Sequence, residues 1–125
     1  MSENELSKII VNTAFQIHKQ LGPGLLESVY EEIMFYELLR QNINVERQRP
    51  IPVIWNNVKM ELGFRADLIV ENKVIVELKS IETIASVHPK ILLTYLRVTG
   101  MKLGLLINFN EELIKNGITR VANNL

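Results

Sequence analysis

Two apolar runs, VIVELK at 74–79 and LGLLINF at 103–109, are separated by a stretch long enough to hold a complete helix, and that spacing constrains the fold more than any other feature. Strands joined through a helix lie parallel, with a right-handed crossover. The run at 103–109 is continuously apolar between Gly100 and Asn110, the pattern of a central strand covered on both faces. Between the two runs, Ser86 is placed to cap a helix over 87–99, with Pro89 in the first turn, where its missing N–H costs nothing, and Gly100 as the exit.

The rest of the chain supplies partners for this unit. Leu6, Ile9, Ile10, Thr13, Ala14 and Ile17 recur at helical spacing, so a helix capped by Ser2 or Asn4 is predicted to about Gln20, where Gly22-Pro23-Gly24 stops it. Residues 25–41 read as a second helix. Its apolar positions form two lines, one through Leu26, Val29, Ile33, Tyr36 and Leu39 and one through Tyr30, Met34 and Leu38, which predicts burial on more than one side. From Val45 the period becomes that of extended chain. Strands are predicted over 45–54, 59–70 and 74–79, turning at Asn56-Asn57 and at Glu71-Asn72-Lys73, as an antiparallel meander. The tail offers a short helical turn and a last short strand near 118–121. The expected architecture is α/β, with helices flanking one mixed sheet, in a single domain over residues 1–125.

Composition removes several chemistries. Cysteine is absent, which excludes disulfide frameworks, thiolate zinc sites and cysteine nucleophiles and fits a reducing, cytoplasmic setting. The polar, acidic start MSENELSKII lacks the basic region and apolar run of a secretory leader, so none is expected. No apolar stretch approaches the roughly 18–20 residues of a membrane span. The formal net charge is zero, which argues against coating nucleic acid by bulk electrostatics. The charges are nevertheless unevenly placed. Residues 1–39 contain two Lys and six Glu, a net of −4, whereas residues 40–102 contain ten Lys or Arg and six acids, a net of +4.

Side-chain alternation puts Ile75, Glu77 and Lys79 on one face of the 74–79 strand and Val74, Val76 and Leu78 on the other. Arg65, Asp67 and Ile69 share a face of the preceding strand, and pairing around Asn72 sets Asp67 level with Glu77 or Lys79. Two carboxylates and an amine can then converge. Unpaired charges on a central strand cost several kcal/mol, so they require compensation. A hard divalent cation, Mg²⁺ or Mn²⁺, suits two acids and a substrate phosphate. A buried ion pair of Glu77 with Lys79, with Asp67 capping a strand, is the alternative for the same residues. His18 and His88 lie far apart and neither has a second imidazole at ligand spacing, so no zinc site is expected. His88 either reaches a substrate phosphate or caps its helix. Arg47, Arg49, Lys90 and Arg97 either track phosphates or lie on solvated surface. Trp55 is either a stacking residue or part of a subunit contact.

The stretch Gly24-Leu25-Leu26-Glu27-Ser28-Val29-Tyr30 resembles the Gly-x-x-Glu-x-x-Tyr signature of the GxxExxY family, placed in the PD-(D/E)XK nuclease superfamily. The likeness continues through Gln48-Arg49-Pro50, Arg65-Ala66-Asp67-Leu68, Glu77-Leu78-Lys79, Tyr95-Leu96 and residues 104–109. It implies a restriction-endonuclease-like core of helix, three antiparallel strands, helix and parallel strand. It implies a Mg²⁺- or Mn²⁺-dependent nuclease for DNA or RNA, with Asp67, Glu77 and Lys79 as its acid, acid and lysine and Glu27 as a further catalytic acid near the metal. Arg49, Arg65, Lys90 and Tyr95 are the candidate substrate contacts. The chain departs from the resemblance at Ala66, where proline is usual, and at Ile91, where related sequences carry glutamine four residues before the tyrosine. Isoleucine cannot bind phosphate, so a catalytically weak or inactive module that binds nucleic acid or a protein partner is the rival expectation. A homodimer is a further one, because a small subunit offers little surface to embrace a duplex.

Overall fold

A computed structural model describes residues 1–125. In chain order the elements are α1 (Glu3–Leu21), α2 (Glu27–Arg40), β1 (Val45–Ile51), β2 (Ile54–Trp55), β3 (Val58–Lys59), β4 (Phe64–Val70), β5 (Val74–Lys79), α3 (Val87–Thr99), β6 (Leu103–Asn108), a 3₁₀ turn (Ile114–Gly117) and β7 (Ile118–Ala122). Five strands form one sheet in the order β1-β4-β5-β6-β7, in which β5 and β6 pair in parallel and all other neighbours antiparallel. The parallel pair is the one that spans α3, as the spacing of the two apolar runs requires. No helix is long and apolar enough to cross a membrane.

Two layers of core enclose the sheet. Leu6, Ile10 and Ala14 of α1 and Tyr30, Met34 and Leu38 of α2 cover Leu68, Val76, Leu78 and Leu105 on one face. Leu92 and Leu96 of α3 cover Ala66, Ile69, Ile75 and Leu106 on the other. The helix lies close over β6 because Gly104 has no side chain: a Cβ there would meet Leu92 at 2.8 Å. α1 begins with a full capping box, in which the Ser2 hydroxyl accepts from Glu5 N–H and the Glu5 carboxylate accepts from Ser2 N–H, an arrangement that satisfies two otherwise orphaned donors.

Three expectations change. The strands predicted over 45–54 and 59–70 are each interrupted, so the meander runs β1-β4-β5 with a small separate hairpin, β2-β3, inserted. Pro52 has no N–H with which to continue the ladder, and Gly63 approaches β1 so closely that a Cβ would lie 1.9 Å from Ile51 O. Asn56 and Asn57 do turn the inserted hairpin, both at positive φ. Second, α2 is buried along one stripe: Tyr30, Glu31, Met34 and Leu38 are inside, whereas Leu26, Tyr36 and Leu39 are exposed. Of the other apolar line, Val29 and Ile33 are half-buried, with Ile33 packed against the core, and the rest faces solvent. Third, side-chain alternation fails midway along β1 and β4. Val45 and Ile51, an even number of residues apart, lie in opposite core layers, as do Leu68 and Ala66. The break falls at Gln48 and Asp67, the pair the β1–β4 ladder skips, with Gln48 at φ 49°.

Candidate functional site

That break is where the acids come together. β5 sends Val74, Val76 and Leu78 beneath α1 and α2 and turns Glu77 and Lys79 toward α3. The β4–β5 ladder runs from Val70↔Val74 to Leu68↔Val76 and stops, so Asp67 does not pair through its backbone. Its carboxylate fills the gap. Asp67 Oδ2 accepts the Leu78 N–H at 2.9 Å, and Oδ1 accepts Gln48 Nε2–H at 3.1 Å. The Gln48 amide also donates to Glu31 Oε1 at 2.7 Å, and the buried Glu31 carboxylate is held from its other oxygen by Arg47 at 3.1 and 3.2 Å. A buried acid without such donors would be costly. The chain of contacts from Arg47 to Leu78 therefore fixes Asp67 at the mouth of the opened ladder.

Glu77 is 8% exposed, and its Oε1 has no hydrogen-bond partner. Burial, then a hydrogen bond to Asp67 and the Asp67 charge, push the Glu77 carboxyl up to about 9, with Lys79 opposing. At neutral pH the Glu77 carboxyl therefore keeps its proton in the metal-free fold. An unpaired buried acceptor costs about 1–3 kcal/mol. Two carboxylates at close quarters, one oxygen of which lacks any donor, fit a hard divalent cation.

Lys79 reaches the same place from the end of β5. Its carbonyl accepts Phe109 N–H at 2.9 Å, and Asn108, fully buried opposite it, bonds both the N–H and the carbonyl of Ile81 through its side chain. The exit of β5 is thus pinned on both sides, while none of the salt bridges involves Lys79.

Glu27 arrives from the opposite layer, in the first turn of α2. The loop before it is anchored three ways: the Tyr30 hydroxyl donates to Gly22 O at 2.6 Å and accepts from Leu25 N–H at 3.2 Å, and Ser80 Oγ donates to Leu25 O at 2.7 Å. Tyr30 itself is stacked on Phe109 with ring centroids 4.4 Å apart. Gly24, at φ 109°, takes a backbone shape that side chains oppose. Gly24 turns the loop, Tyr30 ties it down and Glu27 is presented beside Lys79. Burial raises the Glu27 carboxyl, Lys79 lowers it and Asp67 raises it.

A cleft of about 220 Å³ opens between β4, β5 and α3, lined by Arg65, Asp67, Glu77, Lys79, His88, Ile91, Leu92, Tyr95 and Leu106. Tyr95 stacks on Phe64 at 3.9 Å, and its hydroxyl is raised by burial and then by the charges of Glu77 and Asp67. Arg65 donates to Gln48 O at 3.1 Å. A larger hollow of about 420 Å³ between α1 and α2 contains none of the predicted site residues.

Of the residues singled out from sequence, Arg65, Asp67, Glu77, Lys79, His88, Ile91 and Tyr95 line this cleft. Arg49 does not; it donates to Asn72 Oδ1 at 2.8 Å and pairs with Glu46 at 3.6 Å. Lys90 is exposed on the first turn of α3, outside the cleft. The trio of Glu27, Asp67 and Glu77 does not form a group of three metal-ligand side chains. Glu77 points to the α3 side of the sheet, whereas Glu27 comes from the α2 side.

Gln48 and Glu31 belong to the site's framework without having been assigned a role there, whereas His88, read from sequence as a phosphate contact or a helix cap, lines the cleft. A carboxylate on the buried stripe of α2, between Tyr30 and Met34, is the one signal that pointed to Glu31. Nothing in sequence marks a glutamine that will adopt positive φ.

Among comparisons with known proteins, the family model of the PD-(D/E)XK nuclease superfamily matches residues 4–121. No curated protein and no solved structure matches the chain.

Proposed function

From the premise that the chain belongs to the PD-(D/E)XK nuclease superfamily, we propose that it is a Mg²⁺- or Mn²⁺-dependent phosphodiesterase of DNA or RNA. The observation that carries this reading is the Asp67–Glu77 pair at the opened ladder, with Glu77 Oε1 buried and unpartnered. Asp67 and Glu77 would hold the cation, and Glu77 would give up its proton to do so. When bound, such an ion supplies Lewis acidity toward a phosphate and acidifies water.

The protein's own groups do the rest. Lys79 places an ammonium beside the attacking water and beside the negative charge that develops on the phosphate. Glu27, whose carboxyl feels the charge of Lys79, faces that ammonium from the α2 side and would reach the cation through water. Arg65 and Tyr95 border the path of the phosphodiester, and Leu92 and Leu106 add apolar lining to the cleft.

Purified protein incubated with plasmid, single-stranded DNA and RNA in Mg²⁺ or Mn²⁺ is expected to cleave at least one of them. Glu77→Ala and Lys79→Ala are each expected to lose about a hundredfold or more, the scale of removing one electrostatic stabiliser from such a site. Equal cleavage by the variants would place any activity elsewhere, in a contaminant or another site.

A second reading, binding of nucleic acid without turnover, is favoured by Ile91, which presents an aliphatic side chain to the cleft. Retained oligonucleotide binding with no cleavage in either metal would select it. Calorimetry with Mn²⁺ then tells whether the acids still take a cation.

A further inference from the structure

The start of α3 is built unusually. Ser86, in the N-cap position, has a helical backbone and makes no side-chain cap bond. His88 does that work instead: Ala85 N–H donates to His88 Nδ1 at 3.0 Å, and His88 N–H donates to Ala85 O at 3.0 Å. Two reciprocal bonds between the same two residues hold the imidazole ring in one orientation.

The bonding also decides the tautomer. A ring whose Nδ1 accepts a backbone N–H carries its proton on Nε2, so that atom is a donor. Of the residues α3 sends to the cleft, namely His88, Ile91, Leu92 and Tyr95, His88 and Tyr95 alone bear polar side-chain atoms. The helix end adds to this, because first-turn positions favour an anion nearby.

We propose that His88 is a substrate-contacting residue of the cleft, its Nε2–H donating to a phosphate oxygen of the nucleic-acid backbone while Ala85 holds the ring by Nδ1. The identity of the ligand rests on the nuclease reading above. The donor, its orientation and its place in the cleft rest on the geometry of residues 85–88. In this arrangement one residue both starts the helix and reads the phosphate, so the two roles separate by mutation. In His88→Asn the shorter side chain can still accept the Ala85 N–H through Oδ1 but falls short of the cleft, whereas His88→Ala loses both contacts.

The test uses the full chain in Ca²⁺, so that binding is read apart from cleavage, with a fluorescent eight-nucleotide single-stranded DNA and its RNA equivalent as probes. Both variants are expected to bind about tenfold or more weakly than wild type, as loss of a hydrogen bond to a charged group implies. His88→Asn should melt at the wild-type temperature. In parallel, the imidazole ¹⁵N spectrum should show the Nε2–H tautomer for His88, with resonances that move when the DNA is added. His18, whose Nε2 is engaged by Glu111 O at 2.8 Å and which does not line the cleft, should stay put. Wild-type affinity in His88→Asn, or cleft resonances that shift while those of His88 do not, overturns the assignment and leaves the nuclease reading standing. No shift anywhere in the cleft overturns the nuclease reading and takes the assignment with it.

Discussion

Glu77 sets the pH behaviour of the metal-free protein. Its carboxyl is pushed from 4.5 up to about 9 in the folded chain, so between those limits the native state keeps a proton that the unfolded chain releases. Stability from this group is therefore full below about pH 4.5 and is lost progressively as pH rises toward 9. Urea unfolding in chelator is expected to give a midpoint that falls across this window in wild type. In Glu77→Gln, which stays neutral, the slope should be clearly flatter. A wild-type midpoint that stays as flat as that of Glu77→Gln over the same range would mean that Glu77 is already ionised in the fold. Asp67, Glu77 and Lys79 were legible as a group because alternation along β5 is regular. Glu31 and Gln48 were not, because their roles depend on a strand that loses its beat, and alternation reasoning assumes that it does not.

The loop between α1 and α2 works as one device with the first turn of α2. Tyr30 is fully buried and spends its hydroxyl on the Gly22 carbonyl and the Leu25 N–H. Tyr30→Phe keeps the stack on Phe109 and leaves both groups without that partner, so a loss of about 1–3 kcal/mol is expected from thermal or urea unfolding. If Glu27 acts through its position beside Lys79, cleavage by Tyr30→Phe should fall too, in protein that is still fully folded at the assay temperature. Unchanged stability would mean that water replaces the phenol at no cost. The elements themselves were largely readable: α3 spans the expected residues and exits at Gly100, although Ser86 does not cap it, and the turns at Asn56-Asn57 and Asn72 fall where turn chemistry puts them. The β2-β3 hairpin was hidden because its residues alternate as a longer strand would, and only the tertiary fit of Pro52 and Gly63 against β1 detaches it.

At the scale of the whole molecule, a net charge of zero limits how nucleic acid can be held. Arg65 and Lys79 are the Arg and Lys side chains of the cleft, so on the proposed nuclease reading duplex DNA should bind with a log–log salt slope of about −2. Fluorescence titrations between low and physiological salt measure it. A slope steeper than about −5 would mean that cations beyond the cleft, such as Arg49, Lys73 and Lys102, carry the contact. The architecture of sheet and helices followed from the two apolar runs and the helix between them. The site's depth did not, because it comes from an absent rung: where β4 and β5 cease to pair, the Leu78 amide hydrogen is retained by the Asp67 carboxylate instead of by a strand. The lifetime of that single hydrogen against deuterium exchange is thus tied to one side chain. It should shorten in Asp67→Ala and respond to any ion the carboxylate takes up, which gives the site its own clock, readable without substrate.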